Sequence, residues 1–148
     1  FDKNLIKDIK NINYYYKDEK KSNCNLKQLD ENFSKAKNNY LKILEKNKKM
    51  DSYWDINFNI YKKYTIDGNC KIDKEHSNFL KTYKLKNYKK KKNKIDKLDC
   101  YIEYQLFDSL IKGKFPWNTS LSGSTIMYKR YPNKFNVDMI FSLNFLRA

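Results

Sequence analysis

The chain has 148 residues and carries 32 Lys and Arg against 17 Asp and Glu, a formal net charge of +15. Hydrophobic residues make up 40% and aromatics 16%, too much for a disordered basic tail, so a core rich in Tyr and Phe is expected. No run of about 18 apolar residues occurs and Phe1-Asp2-Lys3-Asn4 lacks the pattern of a signal peptide, so no membrane partner is expected.

Leu5, Ile6, Ile9 and Ile12 are spaced for a short amphipathic helix over residues 1–16. The next stripe is the most regular in the chain. Leu26, Leu29, Phe33, Ala36, Tyr40, Ile43 and Leu44 recur at steps of three and four, which predicts a helix that starts behind an Asn25 cap. A third helix is predicted from about Asp51 to Tyr64, with Trp54, Phe58 and Tyr61 on one face. Asp67-Gly68-Asn69 then makes a turn. A fourth helix is predicted over residues 77–91 and a fifth over 96–112, where Leu98, Ile102, Leu106 and Leu110 recur every fourth residue. Gly113 fits the C-terminal cap of that helix. Residues 118–124 read as a polar linker, and the segment beyond them shows no sustained period.

The expected fold is therefore mainly α-helical. Amphipathic helices fill residues 1–50, a three-helix module fills 51–117, and an extended basic and aromatic tail fills 118–148. Trp54 and Trp117 are expected in the core, sealing the two ends of the module.

The central stretch resembles the helicase-associated domain, a three-helix nucleic-acid-binding module. The matching positions are Trp54, Phe58, Tyr61 and Tyr64, then Gly68 and Ile72, and finally Leu110, Phe115 and Trp117; where the family has Leu-Gly-x-Trp the chain reads Leu80-Lys81-Thr82-Tyr83. The chain departs from the family pattern at Asn87-Tyr88, where a Gln-Arg pair is usual, and at Gly113, where the glycine is displaced. The resemblance implies three packed helices and contact with nucleic acid. A second, shorter likeness is Asp67-Gly68-Asn69-Cys70, the four letters that open the active site of ovarian-tumour-type deubiquitinases. The only histidine, His76, follows six residues after Cys70, and Cys70 is expected to be a half-buried residue of the turn.

The charge itself points to phosphate. Lys81, Lys84, Lys89, Lys90, Lys91, Lys92 and Lys94 crowd one run, with Tyr88 among them and Asp96 as its nearest acid. Lysines supply point charges for phosphates and tyrosines supply faces for bases. Lys129, Arg130 and Lys134 extend the expected contact surface into the tail. No phosphate-cradling glycine loop, metal-ligand spacing or catalytic constellation occurs, so neither cofactor, metal nor small-molecule substrate is expected, and no enzymatic activity. Cys24, Cys70 and Cys100 form no metal-type pair and suit free thiols.

These features predict a non-catalytic RNA-binding structural subunit of a large ribonucleoprotein, bound to rRNA and to neighbouring proteins. An organellar, mitochondrial ribosome is the assembly expected, because a start without methionine suits a processed transit peptide; nucleus or cytoplasm is the alternative. Two other functions compete, a DNA-binding accessory module of a helicase or replication complex and a protein-interaction scaffold.

Overall fold

From Trp54 to Tyr61 every second residue is apolar or aromatic and every other one is polar until the last. That period of two belongs to a strand with one buried face. The computed structural model describes residues 24–47, 54–86, 96–122 and 125–148, with the side chains of residues 121 and 122 left aside. In it, β1 (Trp54–Lys63) buries Trp54, Ile56, Phe58 and Ile60 and turns Asp55, Asn57, Asn59 and Tyr61 the other way.

Two more segments predicted as helices also hold strands. β2 (Asn78–Leu85) pairs antiparallel with β1, and β3 (Asp96–Glu103) pairs parallel with its other edge. β4 (Met127–Tyr131) pairs antiparallel with β3. The result is a four-stranded mixed sheet of order β2-β1-β3-β4. The mainly helical bundle is thus corrected to an α/β fold, and the three-helix arrangement implied for residues 51–117 is not formed. The physical reason lies in the spacing. Trp54, Phe58 and Tyr61 fit a helical face, but they also sit within a stricter alternation whose Ile and aromatic residues favour a pleated surface and whose Asn residues are poor helix formers.

Among the described residues, the connection between the parallel strands β1 and β3 holds β2 and no helix. β2 runs back to the start of β1, where Leu85 lies opposite Ile56, and β3 enters at that same end, where Asp96 lies beside Trp54.

In β3 the alternation of Leu98, Cys100 and Ile102 gives way at Tyr104 to a helical period. There α2 (Tyr104–Ile111) buries Phe107, Leu110 and Ile111. The predicted helix over 96–112 is thus half strand and half helix. Its end is as expected: Gly113, at φ +72°, donates to Leu110 O at 3.0 Å, and Lys114 donates to Ser109 O at 2.9 Å. This double closure requires a left-handed residue, which glycine adopts without a Cβ penalty.

The helix read most clearly from sequence is present as α1 (Leu26–Lys46), capped by Asn25, whose side chain accepts from Gln28 N at 3.1 Å. Its stripe of Leu29, Phe33, Ala36 and Tyr40 is buried against the sheet. The Phe33 ring lies 4.7 Å from Tyr83 of β2 and 6.1 Å from Phe58. At its first turns, Asp30 accepts from Lys81 Nζ at 2.7 Å and from the Tyr83 hydroxyl at 2.6 Å. The helix expected within residues 1–16 lies outside the described residues.

The extended tail is also corrected. Residues from Trp117 onward form α3 (Trp117–Ser122), β4, α4 (Val137–Ser142) and a 3-10 turn at Leu143–Phe145. Ile126, Met139, Ile140, Leu143 and Leu146 are buried in the same core as Leu29 and Phe58. Tyr40 and Ser142 share a buried 3.0 Å hydrogen bond, Asn39 Nδ2 donates to Arg147 O at 3.0 Å, and Ala148 N donates to Ile111 O at 2.8 Å. Trp54 and Trp117 are both core residues, as the sequence predicts. Trp117 packs at 5.6 Å from the Phe58 ring.

Candidate nucleic-acid interface

The helices gather on one face of the sheet. Among the described residues nothing comparable covers the other face, which takes every side chain that alternates away from the core. Its composition follows from register. Lys84, Asn57, Asp99 and Lys129 form one row across the four strands. Thr82, Asn59, Tyr101 and Met127 form the next, and Phe79, Tyr61 and Glu103 the one after. At the opposite end, Asp55, Lys97 and Tyr131 lie side by side.

Phe79 reaches this face through an irregularity. Between Ile60 and Tyr61 the β1–β2 register slips, so that Tyr61 pairs with Phe79 while Leu80 turns to the core. A bulge of this kind re-aims a side chain that strict alternation would have pointed inward. Phe79 stays 56% exposed despite its size. Its ring centroid is 5.4 Å from that of Tyr61, which is 6.4 Å from Tyr101 and 5.8 Å from Tyr64. The Lys129 ammonium sits 5.4 Å from the Tyr101 ring. An aromatic stripe thus crosses β2, β1 and β3 and ends in a cation on β4.

Polar side chains on the face bind one another. Asn57 Nδ2 donates to Asp99 Oδ1 at 2.8 Å, Thr82 Oγ1 donates to Asn59 Oδ1 at 2.8 Å, and Asn59 Nδ2 donates to Cys100 O at 3.3 Å. Burial raises the phenol pKa of both Tyr61 and Tyr101, so the stripe is neutral at ordinary pH. The face is close to balanced in formal charge, with Lys84, Lys97 and Lys129 set against Asp55, Asp99 and Glu103. Its distinguishing feature is aromatic surface with lysines at the margins.

The predicted contact residues divide three ways. Lys84 and Lys129 fall on the open face, at the two ends of one row. Lys81 and Arg130 alternate to the helix side. Lys81 is held by Asp30, and the Arg130 guanidinium lies 5.4 Å from the Phe135 ring. Lys134 is exposed beyond β4. Tyr88, Lys89, Lys90, Lys91, Lys92 and Lys94 lie outside the described residues. Sequence reasoning missed Phe79, Tyr101 and Tyr131 and took Tyr61 for a helix face. The signal that finds Tyr61 and Tyr101 is the period of two.

The Asp67–Cys70 turn holds no catalytic arrangement. Asp67 Oδ1 accepts from the backbone N–H groups of Asn69 and Lys71, each at 2.9 Å, and Cys70 is exposed at φ +57°, not half-buried. His76 Nδ1 contacts Asp73 at 2.7 Å, which holds that carboxyl below its usual range. Among the described residues no group of three or more His, Cys, Asp or Glu is placed to hold a metal ion, and no helix is long and apolar enough to cross a membrane.

No family model, curated protein or solved structure matches the chain. The interface therefore rests on its own geometry. What that geometry offers chemically is apolar ring surface for stacking, with the Lys129 ammonium beside the Tyr101 ring.

Proposed function

We propose that the chain is a non-catalytic RNA-binding subunit of a large ribonucleoprotein and that it meets RNA on the open face of its sheet. The observation that carries this reading is the aromatic stripe of Phe79, Tyr61 and Tyr101 on the face that no described helix covers. A large exposed ring has a cost in water, and a base stacked on it recovers that cost in a sequence-tolerant way. Lys129 lies beside the Tyr101 ring, Lys84 and Lys97 lie further along the same face, and the net charge of +15 favours association with a polyanion.

A second surface suits the protein neighbours of such an assembly. Phe135, Val137 and Phe141 are 67%, 46% and 48% exposed, and they belong to the α4 region, away from the stripe. Exposed apolar patches of this kind mark contact sites. An organellar ribosome is the specific assembly proposed.

The test is ultraviolet crosslinking of the native protein to whatever nucleic acid it holds. Crosslinked peptides from β1, β2 and β3, joined to ribosomal RNA, are the expected result. Crosslinks to DNA would favour a replication accessory. An absence of crosslinks together with protein partners that persist in half-molar salt would favour a scaffold.

A further inference from the structure

We infer that the RNA held on the open face is unpaired and that its bases are stacked without being read. The inference rests on the proposed RNA contact and specifies its substrate class. In a duplex both faces of nearly every base are covered by neighbours, so a ring can stack only on a base that has left the helix. The stripe offers rings and no groove-filling element. Neighbouring strands are about 4.8 Å apart, and the stripe spans three of them with ring separations of 5.4 and 6.4 Å. That is room for about two splayed bases, in the manner of sheets that stack two or three.

Reading a base requires donors and acceptors free to meet its edge. Of the polar side chains beside the stripe, the amides of Asn57 and Asn59 and the Thr82 hydroxyl are each fixed to another group of the protein, and the charged Glu103 and Lys129 stand beside Tyr61 and Tyr101. Asn59 is held from both ends of its amide, accepting from Thr82 and donating to Cys100 O. Turning either amide toward a base would break a 2.8 Å bond, and for Asn57 it would leave Asp99 without that donor. The network therefore works as a fixed polar floor, and discrimination among A, C and U is small.

The experiment is fluorescence anisotropy with labelled ten-nucleotide oligo(U), oligo(A) and oligo(C) and a blunt ten-base-pair RNA duplex. The proteins are the wild-type chain, Phe79→Ala, Tyr101→Ala and, as a control distant from the stripe, Phe141→Ala. The single strands should bind within about threefold of one another, and the duplex at least about tenfold more weakly. Phe79→Ala and Tyr101→Ala should each weaken single-strand binding by roughly 5- to 150-fold, the measured range for losing one base–aromatic stack. They should leave duplex binding unchanged, and Phe141→Ala should change neither. Equal duplex and single-strand affinity overturns the unpaired substrate. A preference beyond about twentyfold for one homopolymer overturns base-blind stacking and leaves the RNA interface standing. Single-strand binding that survives both aromatic substitutions removes the interface from this face, and with it both readings. The same follows if no oligonucleotide binds.

Discussion

The two faces of the sheet are written in the same strands, one residue apart. On the helix side, Phe58, Tyr83 and Phe107 meet Phe33 and Trp117 in ring contacts, and Phe58, Phe107 and Trp117 have no exposed surface. On the other side, Tyr61 also meets Phe79 and Tyr101 in ring contacts, yet Phe79 keeps more than half of its surface in water. Aromatic content is therefore no guide to burial in this chain. What separates the faces, among the described residues, is whether a helix supplies the second layer. A cluster that exposes a phenylalanine is under no obligation to the fold and is open to selection for contact.

Substitutions on the two sides should behave oppositely, which tests the division. Phe58→Ala removes a fully buried ring from the centre of the core and should cost about 3–5 kcal/mol, enough to unfold a domain of this size by thermal melting. Leu146→Ala should cost about 2–5 kcal/mol, because its side chain is fully buried in that same core. If it melted like the wild type, the C-terminal segment would not belong to the domain. Phe79→Ala should stay within about 0.5 kcal/mol of wild type in a denaturant titration while losing RNA affinity. A large loss of stability would mean that the open face is structural.

A smaller effect sharpens the comparison from the side of charge. Hydrogen bonds from Lys81, and then from Tyr83, hold the Asp30 carboxyl below the usual aspartate range. A depressed carboxylate stabilises the fold at any pH above its unfolded value, about 4, and this contribution disappears as the pH falls through the lower folded value. Asp30→Asn should therefore narrow the difference between melting temperatures at pH 7 and pH 3. Because the pair is 43% and 44% exposed, the effect should be small. The smallest expected change belongs to Lys84→Gln, which should leave stability unchanged and lower the salt slope of RNA binding by about one.

Helix α1 was legible because its stripe admits one period only: Leu29, Phe33, Ala36 and Tyr40 fit no alternation. Segment 96–112 was half legible. Leu98, Ile102, Leu106 and Leu110 satisfy a four-residue step whether the chain is strand or helix, and the change at Tyr104 is invisible in that subset. In β1 the polar partners decide: Asp55, Asn57 and Asn59 alternate with buried residues, a pattern that comparing the apolar positions alone overlooks. The tail could not be read because its elements are short. Val137–Ser142 buries Met139, Ile140 and Ser142 and Leu143–Phe145 buries Leu143, runs too short to show a period, in a core built elsewhere. Of the interface, Lys84 and Lys129 were legible as charges, whereas Phe79 depends on a register slip that no local pattern announces.

The hydrogen bond between Tyr40 and Ser142 joins residues 102 apart in sequence, and that between Asn39 and Arg147 joins residues 108 apart. Helix α1 can coil by itself early, since helix formation is local and fast, but it has nothing to lie on until the strands have paired, and part of its cover arrives later still from α4 and the turn after it. Such long loops must close before their contacts return any free energy. Refolding is then expected to be governed by a late docking event, slower than the microsecond-to-millisecond folding of helical bundles. During that interval the apolar stripe of α1 is bare. A chain synthesised from its N-terminal side would carry that stripe uncovered through most of its emergence, which makes it the natural handle for a holding chaperone.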